Sequence, residues 1–414
     1  MCDTCCINGD SHILFAKNSD RHPQEVQYTW YAVNPKEELS APELMAPHKI
    51  YKSTSWKALQ PVLDAFDHPY PALVSTPAWM WGAEMGVNTK GVAIGNEALF
   101  TNTAAPYHTT GLLGMDILRL ALHNAASAQE ARDLIIKLIT TYGQGGNGAY
   151  RGTLRYHNAF LITDGRETYI VETAEKHWAW KRILTSTSIS NTFTLRRDYD
   201  QTDAGTQKAT EKPDFKHCYE DFFYSHMTKG KQRLAYVHSE LRSKEASIPS
   251  LRELCRSHIS QHHHGGMHAI CMHPGPITQT ATTSSMIIDY QRQSDHCFAW
   301  STCSPYPCSA LYLPFPIPST NEELAQLKKS TLPVGRAAGI AYGSAAREVS
   351  PLIASQHKRS IKVTAALQKR EQYIDSHTLE WSTLPWKNLI EFSEICYTSS
   401  NEMYHEIAES LGRA

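Results

Sequence analysis

The sequence has no excess of charge of either sign, because 40 lysines and arginines stand against 41 aspartates and glutamates in 414 residues. A chain with balanced charge creates no overall field that would attract nucleic acid or an anionic membrane surface. We therefore expect neither nucleic acid nor a membrane among its partners. Self-association into a homo-oligomer stays open.

Long hydrophobic runs are also missing. No apolar run approaches the roughly 18–20 residues that a membrane-spanning helix needs. The N-terminus lacks the basic region and apolar core of a secretory signal peptide. These absences predict a cytoplasmic protein, and 41% hydrophobic residues are enough for a packed globular core.

The cysteines lack the regular spacing of a disulfide framework. In a cytosolic chain of this size we expect most of them to be reduced and buried, as small apolar side chains. The ten cysteines stand at positions 2, 5, 6, 218, 255, 271, 297, 303, 308 and 396.

Metal-binding patterns are weak. The histidines at 262–264, together with His258, His268 and His273, suggest a metal site, but adjacent histidines cannot all face one ion and no Cys-x-x-Cys pair accompanies them. The expectation is no metal and no organic cofactor. A cysteine–histidine metal protein remains as an alternative.

A second such pattern stands at the N-terminus. Cys2 and Cys5 have the spacing of a zinc or redox pair, but there is no second Cys-x-x-Cys motif. Cys303 and Cys308 are too far apart to supply one.

The main candidate for a catalytic nucleophile stands at the start of the chain, where Cys2 follows only Met1. If Met1 is removed, Cys2 carries a thiol with an ordinary pKa near ~8.5 and an α-amine near ~7.7–8.0. Such a residue is a nucleophile with its own base near neutral pH. This arrangement is typical of N-terminal-nucleophile amidohydrolases.

The opening stretch also predicts a hairpin, with strands near 2–7 and 12–17 and a turn at Asn8-Gly9. Such a hairpin brings Lys17 back beside Cys2, with the carboxylate of Asp20 close behind. The alternative is an ordinary edge hairpin whose cysteines belong to the core.

Serial hairpins elsewhere, with turns at 88–91 and 164–165, favour antiparallel sheets with helices grouped between them, which is an α+β fold. Ser127 and Glu130 form a capping-box pattern that opens a helix to about 140. Further strands are predicted at 27–33, 178–183, 186–193, 280–289, 296–300 and 310–315, and helices at 111–125, 218–243, 322–329, 361–374 and 389–411. No repeat, low-complexity tract or clear linker appears.

Two asparagines stand out as candidate donors. Asn96 and Glu97 close a strand as a polar pair, which is either a donor and acceptor cluster or a capped strand end. Asn191 lies in a Ser/Thr-rich segment whose hydroxyls can fix its amide, or it is a turn asparagine.

Several ordered strings over about residues 2–315 resemble the secernin and cysteine-type dipeptidase family of N-terminal-nucleophile hydrolases. They are Cys-Asp-Thr at 2–4, Phe-Ala-Lys-Asn-Ser-Asp-Arg at 15–21, Gly-Ala-Glu-Met-Gly-Val-Asn at 82–88, Gly-Val-Ala-Ile-Gly-Asn-Glu-Ala at 91–98, Tyr-Gly-Gln-Gly-Gly at 142–146, Glu-Thr-Ala at 172–174, Lys-His-Trp at 176–178, Ser-Ile-Ser-Asn at 188–191, Ile-Cys-Met-His at 270–273 and Thr-Thr-Ser-Ser-Met at 282–286.

The resemblance implies a four-layer αββα sandwich, with two antiparallel sheets between helical layers. It also implies a hydrolase domain at 1–318 and a mainly helical C-terminal extension at 319–414, packed on the same domain. Penicillin V acylase and bile-salt hydrolase are related enzymes that cut non-peptide amides.

By similarity, Cys2 is the nucleophile and its own α-amine is the general base. Asp20 holds the amine, and Lys17 occupies the place where the acylases carry arginine.

The resemblance also assigns three supporting residues. Asn191 donates to the oxyanion, Asn96 supplies a second donor, and Arg233 matches a distal arginine of the acylases.

These features predict a cysteine-nucleophile amidohydrolase, either a dipeptidase or a small acyl-amide hydrolase, whose substrate is a small peptide or acyl-amide. Because some secernins are discussed as regulators of secretion, a non-catalytic regulatory or binding protein on the same fold is the alternative.

Overall fold

The computed structural model describes residues 1–36, 56–103, 111–206, 212–259, 266–275, 279–292, 294, 296–355, 360–378 and 381–410. Within them the strands are β1 (Cys2–Asn8), β2 (His12–Arg21), β3 (Gln27–Ala32), β4 (Ala72–Pro77), β5 (Met85–Asn88), β6 (Ala93–Leu99), β7 (His157–Thr163), β8 (Thr168–Ala174), β9 (His177–Ile183), β10 (Thr187–Ile189), β11 (Gln201–Thr202), β12 (Ala281–Gln291), β13 (Cys297–Ser301) and β14 (Leu313–Pro316). The helices are α1 (Trp56–Asp64), α2 (Gly114–Asn124), α3 (Ala128–Tyr142), α4 (Phe215–Tyr219), α5 (Phe222–Met227), α6 (Gly230–Ser243), α7 (Ile248–Cys255), α8 (Asn321–Leu327), α9 (Arg336–Ala341), α10 (Ser344–Ser355), α11 (Ser360–Thr378) and α12 (Trp386–Ser410), with 3-10 turns at Pro307–Ser309 and Trp381–Thr383.

The strands form two antiparallel sheets. A six-stranded sheet has the order β10-β1-β2-β12-β13-β14, and an eight-stranded sheet has the order β11-β9-β8-β7-β6-β5-β4-β3. Apolar side chains from both sheets, such as Phe15 and Met286 against Leu73 and Leu161, share one buried cluster. The sheets therefore pack face to face.

Helices cover the outer face of each sheet. Residues of α2 and α3 pack with the outer side chains of the eight-stranded sheet, including Ile94 and Phe160. Residues of α6 and α7 pack with those of the six-stranded sheet, including Leu14. The predicted α+β class, with two antiparallel sheets between helical layers, is confirmed.

The first hairpin is also confirmed. β1 and β2 pair antiparallel, with Cys2 opposite Ser19 and Thr4 opposite Lys17. Because alternate residues of a strand share a face, Cys2, Thr4 and Lys17 project from the same side of the sheet. The hairpins β5–β6 and β7–β8 and the helix capped by Ser127 are confirmed as well.

Two local predictions are wrong. The single helix predicted at 218–243 is three helices, because the Asp221 side chain caps a new start and Lys229 adopts a left-handed φ of 57°. The strand predicted at 186–193 ends at Ile189, because Thr192 donates from its N–H to the carbonyl of Ser190 at 2.8 Å in a tight turn.

The C-terminal helices pack on the same core as the sheets. Ile390 and Tyr404 of α12 belong to the inter-sheet cluster, and the Tyr404 hydroxyl accepts a hydrogen bond from the Leu311 N–H at 2.9 Å. The helices α9 and α10 were not predicted. The division into segments 1–318 and 319–414 stays a prediction. No helix within the described ranges has the length and apolar character needed to cross a membrane.

Candidate active site

Cys2 begins β1 and lies between the two sheets, where its side chain is 6% exposed. Cys6, on the same face of the strand, joins the inter-sheet cluster. Cys5 projects from the opposite face, among the residues of α7. Cys2 and Cys6 therefore project from one face of β1 and Cys5 from the other. Cys5 does not share the space around the Cys2 thiol.

The nitrogen and the sulfur of Cys2 each have defined contacts. The Cys2 N–H donates to Asn191 Oδ1 at 2.9 Å, and the Asp20 N–H donates to Cys2 Sγ at 3.4 Å. The thiol faces Glu84 Oε2 at 3.9 Å. Burial raises the pKa of the Cys2 thiol to about 12, although Lys17 acts to lower it. With Met1 attached, the thiol is therefore neutral.

Lys17 lies beside the Cys2 thiol, as the hairpin predicts, and is completely buried. Its Nζ donates to the main-chain oxygen of Asn96 at 2.8 Å and to Glu97 Oε1 at 3.4 Å. Burial acts to lower the pKa of Lys17, but Cys2 and Glu97 outweigh it and the pKa is raised. The Lys17 side chain therefore lies next to the thiol with its Nζ held by Asn96 and Glu97.

Gly95 makes room for this lysine. A Cβ at position 95 would lie 2.7 Å from Lys17 Cδ and 3.0 Å from Thr4 Oγ1. The first distance is shorter than carbon atoms adopt and the second is tight, so a side chain at position 95 would force Lys17 to shift.

The main chain of Asp20 forms hydrogen bonds with the N-terminal residue. Its N–H donates to the Met1 carbonyl at 2.8 Å, and its carbonyl accepts from the N-terminal ammonium at 2.9 Å. The side-chain Oδ1 accepts from Thr282 Oγ1 at 2.6 Å, while Oδ2 has no hydrogen-bond partner among the described residues. Burial raises the pKa of Asp20 to about 6, although the N-terminal cation acts to lower it.

Asn191 stands in the tight turn after β10 and is held from two sides. Its Nδ2 donates to the Ala98 carbonyl at 3.0 Å, and its Oδ1 accepts from Arg233 Nη2 at 2.7 Å as well as from Cys2. Gly230 lets α6 approach this turn, since a Cβ there would lie 2.8 Å from the Asn191 carbonyl carbon. The amide oxygen therefore points at the Cys2 nitrogen.

Arg233 is fully buried on α6 and links Asn191 to the first strand. Its Nε donates to Asp3 Oδ2 at 2.8 Å, and its Nη1 donates to the Met267 carbonyl at 2.8 Å. Because the guanidinium also contacts Ser190, it fixes the turn that carries Asn191.

Asn96 is the predicted site residue whose side chain points elsewhere. Its Nδ2 donates to Asn158 Oδ1 at 3.2 Å and to Met115 Sδ at 3.6 Å, towards α2. Its main-chain oxygen, in contrast, holds Lys17. The oxyanion role given to this side chain stays a prediction.

Sequence reasoning missed Glu84, which faces the thiol, and Arg21, which pairs with Glu84. Glu84 contacts Cys2 Sγ through Oε2, and its Oε1 accepts a hydrogen bond from Arg21 Nη1. Arg21 also donates to Glu25 Oε1 at 2.5 Å and to the Gly148 carbonyl at 2.8 Å. Both residues lie inside the strings that carry the family resemblance, which was the available signal.

An open cavity of about 360 Å³ reaches Cys2. This volume lies within the usual range of small-molecule sites, roughly 300–1,000 Å³. The lining includes Met1, Cys2, Asp20, Arg21, Glu84, Asn96, Arg151 and Tyr156. The cavity is bounded by Met1 itself, so removal of that residue would widen it at the nucleophile.

The histidines considered as metal ligands divide into three groups. Residues 262–264 lie outside the described residues, and His268 is exposed. His258 and His273 lie together, and the fold brings Cys271 and Cys308 to them.

No protein-family model matches the chain. Among solved structures, it is similar to penicillin V acylase from Agrobacterium tumefaciens, with 10% identity and a TM-score of 0.44 over 78% of this chain and 89% of that one. It is also similar to the Cys2→Ala mutant of conjugated bile acid hydrolase from Clostridium perfringens, with 11% identity and a TM-score of 0.39 over 77% of this chain and 98% of that one. A third is the N-acylethanolamine-hydrolyzing acid amidase ortholog of Caenorhabditis elegans, with 10% identity and a TM-score of 0.38 over 69% of this chain and 92% of that one. Because these identities and TM-scores are low, the function is inferred from this chain's own residues.

Proposed function

We propose that this protein is an amide hydrolase that uses the Cys2 thiol as its nucleophile after removal of Met1. The observation that carries the proposal is the convergence of a buried lysine, an asparagine and a carboxylate on Cys2 at the bottom of a cavity. A nucleophile that is oriented by a fixed partner and faces a cavity is the usual arrangement of covalent catalysis.

Removal of Met1 would supply a general base for the Cys2 thiol. Burial holds the thiol neutral while Met1 is attached, and no histidine contacts the Cys2 sulfur within the described residues. A free α-amine on Cys2 would lie where the main-chain nitrogen now donates to Asn191 Oδ1. The amine then takes the thiol proton, and Lys17 stabilises the thiolate that forms.

The reaction proceeds in two balanced steps. The thiolate attacks the amide carbonyl, the carbon–nitrogen bond breaks, and the α-ammonium of Cys2 returns its proton to the leaving nitrogen. A water molecule then attacks the thioester and gives one proton to the α-amine. The carbon–sulfur bond breaks, and the α-ammonium passes that proton to the leaving thiolate, which releases a carboxylic acid and restores the Cys2 thiol. In this scheme Asn191 keeps the amine aimed at the sulfur.

We further propose dipeptides as the substrate class. Glu84 Oε2 lies 3.9 Å from the nucleophile, which suits the α-ammonium next to the scissile carbonyl of a dipeptide. Arg151 lines the same cavity and is exposed, so it can form an ion pair with the carboxylate at the other end of a dipeptide. A fatty acyl chain has no ammonium for Glu84.

The decisive experiment is intact mass analysis before and after treatment with iodoacetamide, combined with an amide-substrate panel. We expect a chain without Met1, alkylation at Cys2, and loss of hydrolysis in Cys2→Ala. The matched control is Cys5→Ala, on the same strand but facing α7, which should keep its activity. Full hydrolysis by Cys2→Ala would rule out the mechanism.

A second candidate, a non-catalytic binding protein, is favoured by the contacts of Met1. Met1 continues the β ladder through two hydrogen bonds with the main chain of Asp20. The chain that retains Met1, in which the Cys2 nitrogen is part of a peptide bond, therefore has a fixed N-terminus. This candidate predicts retained Met1. A chain released from a cleavable tag to begin at Cys2 separates the two, because only the hydrolase should then form an acyl-enzyme.

A further inference from the structure

A cluster of two cysteines and two histidines lies outside the Cys2 cavity. It joins His258, just after α7, with Cys271 and His273 of the segment 266–275 and Cys308 of the 3-10 turn Pro307–Ser309. The four ligand atoms all lie within 4.8 Å of one another. Side chains from three separate parts of the chain therefore meet at one point.

Three distances from His273 Nε2 match those of ligands around a tetrahedral ion. Zn–N bonds near 2.05 Å and Zn–S bonds near 2.3 Å put tetrahedral ligand atoms about 3.3 Å apart for two nitrogens and about 3.6 Å apart for nitrogen and sulfur. His258 Nε2 lies 3.2 Å from His273 Nε2. The same His273 nitrogen lies 3.3 Å from Cys308 Sγ and 3.6 Å from Cys271 Sγ.

Hydrogen bonding does not account for all three of these contacts. An imidazole nitrogen carries either one proton or one in-plane lone pair, so His273 Nε2 forms one well-directed hydrogen bond, as donor or as acceptor. A cation at the centre satisfies all four ligand atoms together. Two thiolates would also neutralise the charge of a divalent ion, which lowers the cost of placing it in a partly buried site.

The surroundings hold these ligands in place. The Arg256 Nε donates to the Pro307 carbonyl at 2.8 Å and its Nη2 donates to the Ala310 carbonyl at 2.8 Å, which clamps the turn around Cys308. The Tyr306 ring stacks on His273 with centroids 4.7 Å apart. Residues that orient the ligands in this way are typical of preorganised metal sites.

We propose that His258, Cys271, His273 and Cys308 bind one zinc ion in a closed structural site. Four protein ligands fill the tetrahedral coordination shell and leave no position for substrate. The ion joins the end of α7, the segment 266–275 and the turn at 307–309.

The site also connects to Asp20. The Tyr306 N–H donates to the Thr282 carbonyl at 2.9 Å, and Thr282 Oγ1 holds Asp20 Oδ1. The zinc proposal does not depend on the proposed hydrolase activity, because metal content is measured directly.

The test is the zinc content of the full-length protein, purified without added metal or chelator and measured by elemental mass spectrometry. We expect about one zinc per chain in the wild type and loss of that zinc in Cys271→Ser with Cys308→Ser. His268→Ala and Cys218→Ser should retain it, since both residues are exposed and stand outside the cluster. Zinc retained in the double variant would overturn the proposal.

A second measurement does not require the double variant to fold. The wild-type protein, stripped with a chelator and titrated with Co²⁺, should give the intense visible bands and sulfur-to-metal charge transfer of a tetrahedral thiolate site at one equivalent. Weak octahedral bands, or a Cys271–Cys308 disulfide in a non-reducing peptide map, would contradict the proposal. Thermal unfolding should also shift to lower temperature in the stripped protein.

Discussion

The side-chain oxygen of Asn191 accepts a hydrogen bond from the Cys2 nitrogen at 2.9 Å, across 189 positions of sequence. The same oxygen accepts from Arg233, and the amide nitrogen is held by the Ala98 carbonyl. The orientation of the amide is therefore determined by its partners. Asn191 therefore holds the Cys2 nitrogen in a defined direction, and its role as an oxyanion donor stays a prediction.

Asn191→Ala should reduce two separate rates. Loss of an oxyanion donor typically lowers kcat by about 10²–10³-fold. Because Asn191 also positions the Cys2 nitrogen, we expect slower alkylation of Cys2 by iodoacetamide, measured by intact mass. Asn388→Ala, at an exposed position of α12, serves as the control and should change neither rate. Normal alkylation together with reduced kcat would restrict Asn191 to the oxyanion.

Gly95→Ala should displace Lys17 and destabilise the fold. The added Cβ would lie 2.7 Å from Lys17 Cδ, and such overpacking typically costs about 1–3 kcal/mol. We expect a lower urea midpoint and a large loss of Cys2 reactivity. The matched control is Gly266→Ala, where no atom of the described residues lies within 4 Å of the added Cβ. An unchanged midpoint in Gly95→Ala would show that β6 can move away from Lys17.

The pKa of Asp20 predicts the acid limit of activity. If the ionised carboxylate supports the amine of Cys2, kcat/KM should fall as pH decreases through about 6, the value to which burial raises the pKa of Asp20. Asp20→Asn should remove this limb of the profile. A limb that persists in Asp20→Asn would belong to another group.

The same group predicts the pH dependence of stability. The folded-state pKa of about 6 lies above the ordinary 3.8, so between these values the folded chain binds more protons than the unfolded chain. The free energy of unfolding should therefore decrease as pH rises from about 4 to about 6, by at most about 3 kcal/mol from this residue. Urea unfolding of the wild type and Asp20→Asn at both pH values isolates the contribution. A steeper decrease in Asp20→Asn would contradict the sign.

Arg233→Met should destabilise the protein strongly. It leaves Asp3 buried without its cation, and breaking a buried pair in this way typically costs about 3–5 kcal/mol. The double variant Asp3→Asn with Arg233→Met should lose less, because no uncompensated charge remains. Denaturant unfolding measures both, with Arg196→Met at an exposed ion pair as the control. Equal losses in the single and double variants would show that the arginine acts through its carbonyl contacts instead.

Local signals predicted the elements around the nucleophile well. The hairpin was predicted with its turn at Asn8-Gly9; the turn lies just beyond Asn8, which pairs with Ile13, and Lys17 is still on the same face as Cys2. Ser127 predicted the start of α3 correctly, since its side chain accepts from the Glu130 N–H at 3.1 Å. These features depend on residues close in sequence, where propensity and hydrogen-bonding rules apply directly.

Local signals failed where a distant contact decides the backbone. The break before α6 follows from the left-handed Lys229 and from the close approach of Gly230 to Asn191, which no helical periodicity reveals. The direction of the Asn96 side chain, whose Nδ2 contacts Met115 of α2, is likewise not visible in the local sequence.

The sequence by itself determined the hairpin, the position of Cys2 directly behind Met1 and the antiparallel α+β class. Tertiary structure alone decided that Glu84 faces the thiol and pairs with Arg21, that Arg233 secures Asn191, and that two cysteines and two histidines from three segments meet at one point. The physical reason is that hairpins follow from local turn geometry, whereas these contacts depend on how two sheets and their helices pack. Cys2 therefore became a candidate from its position in the chain, and its surroundings were set by the packing.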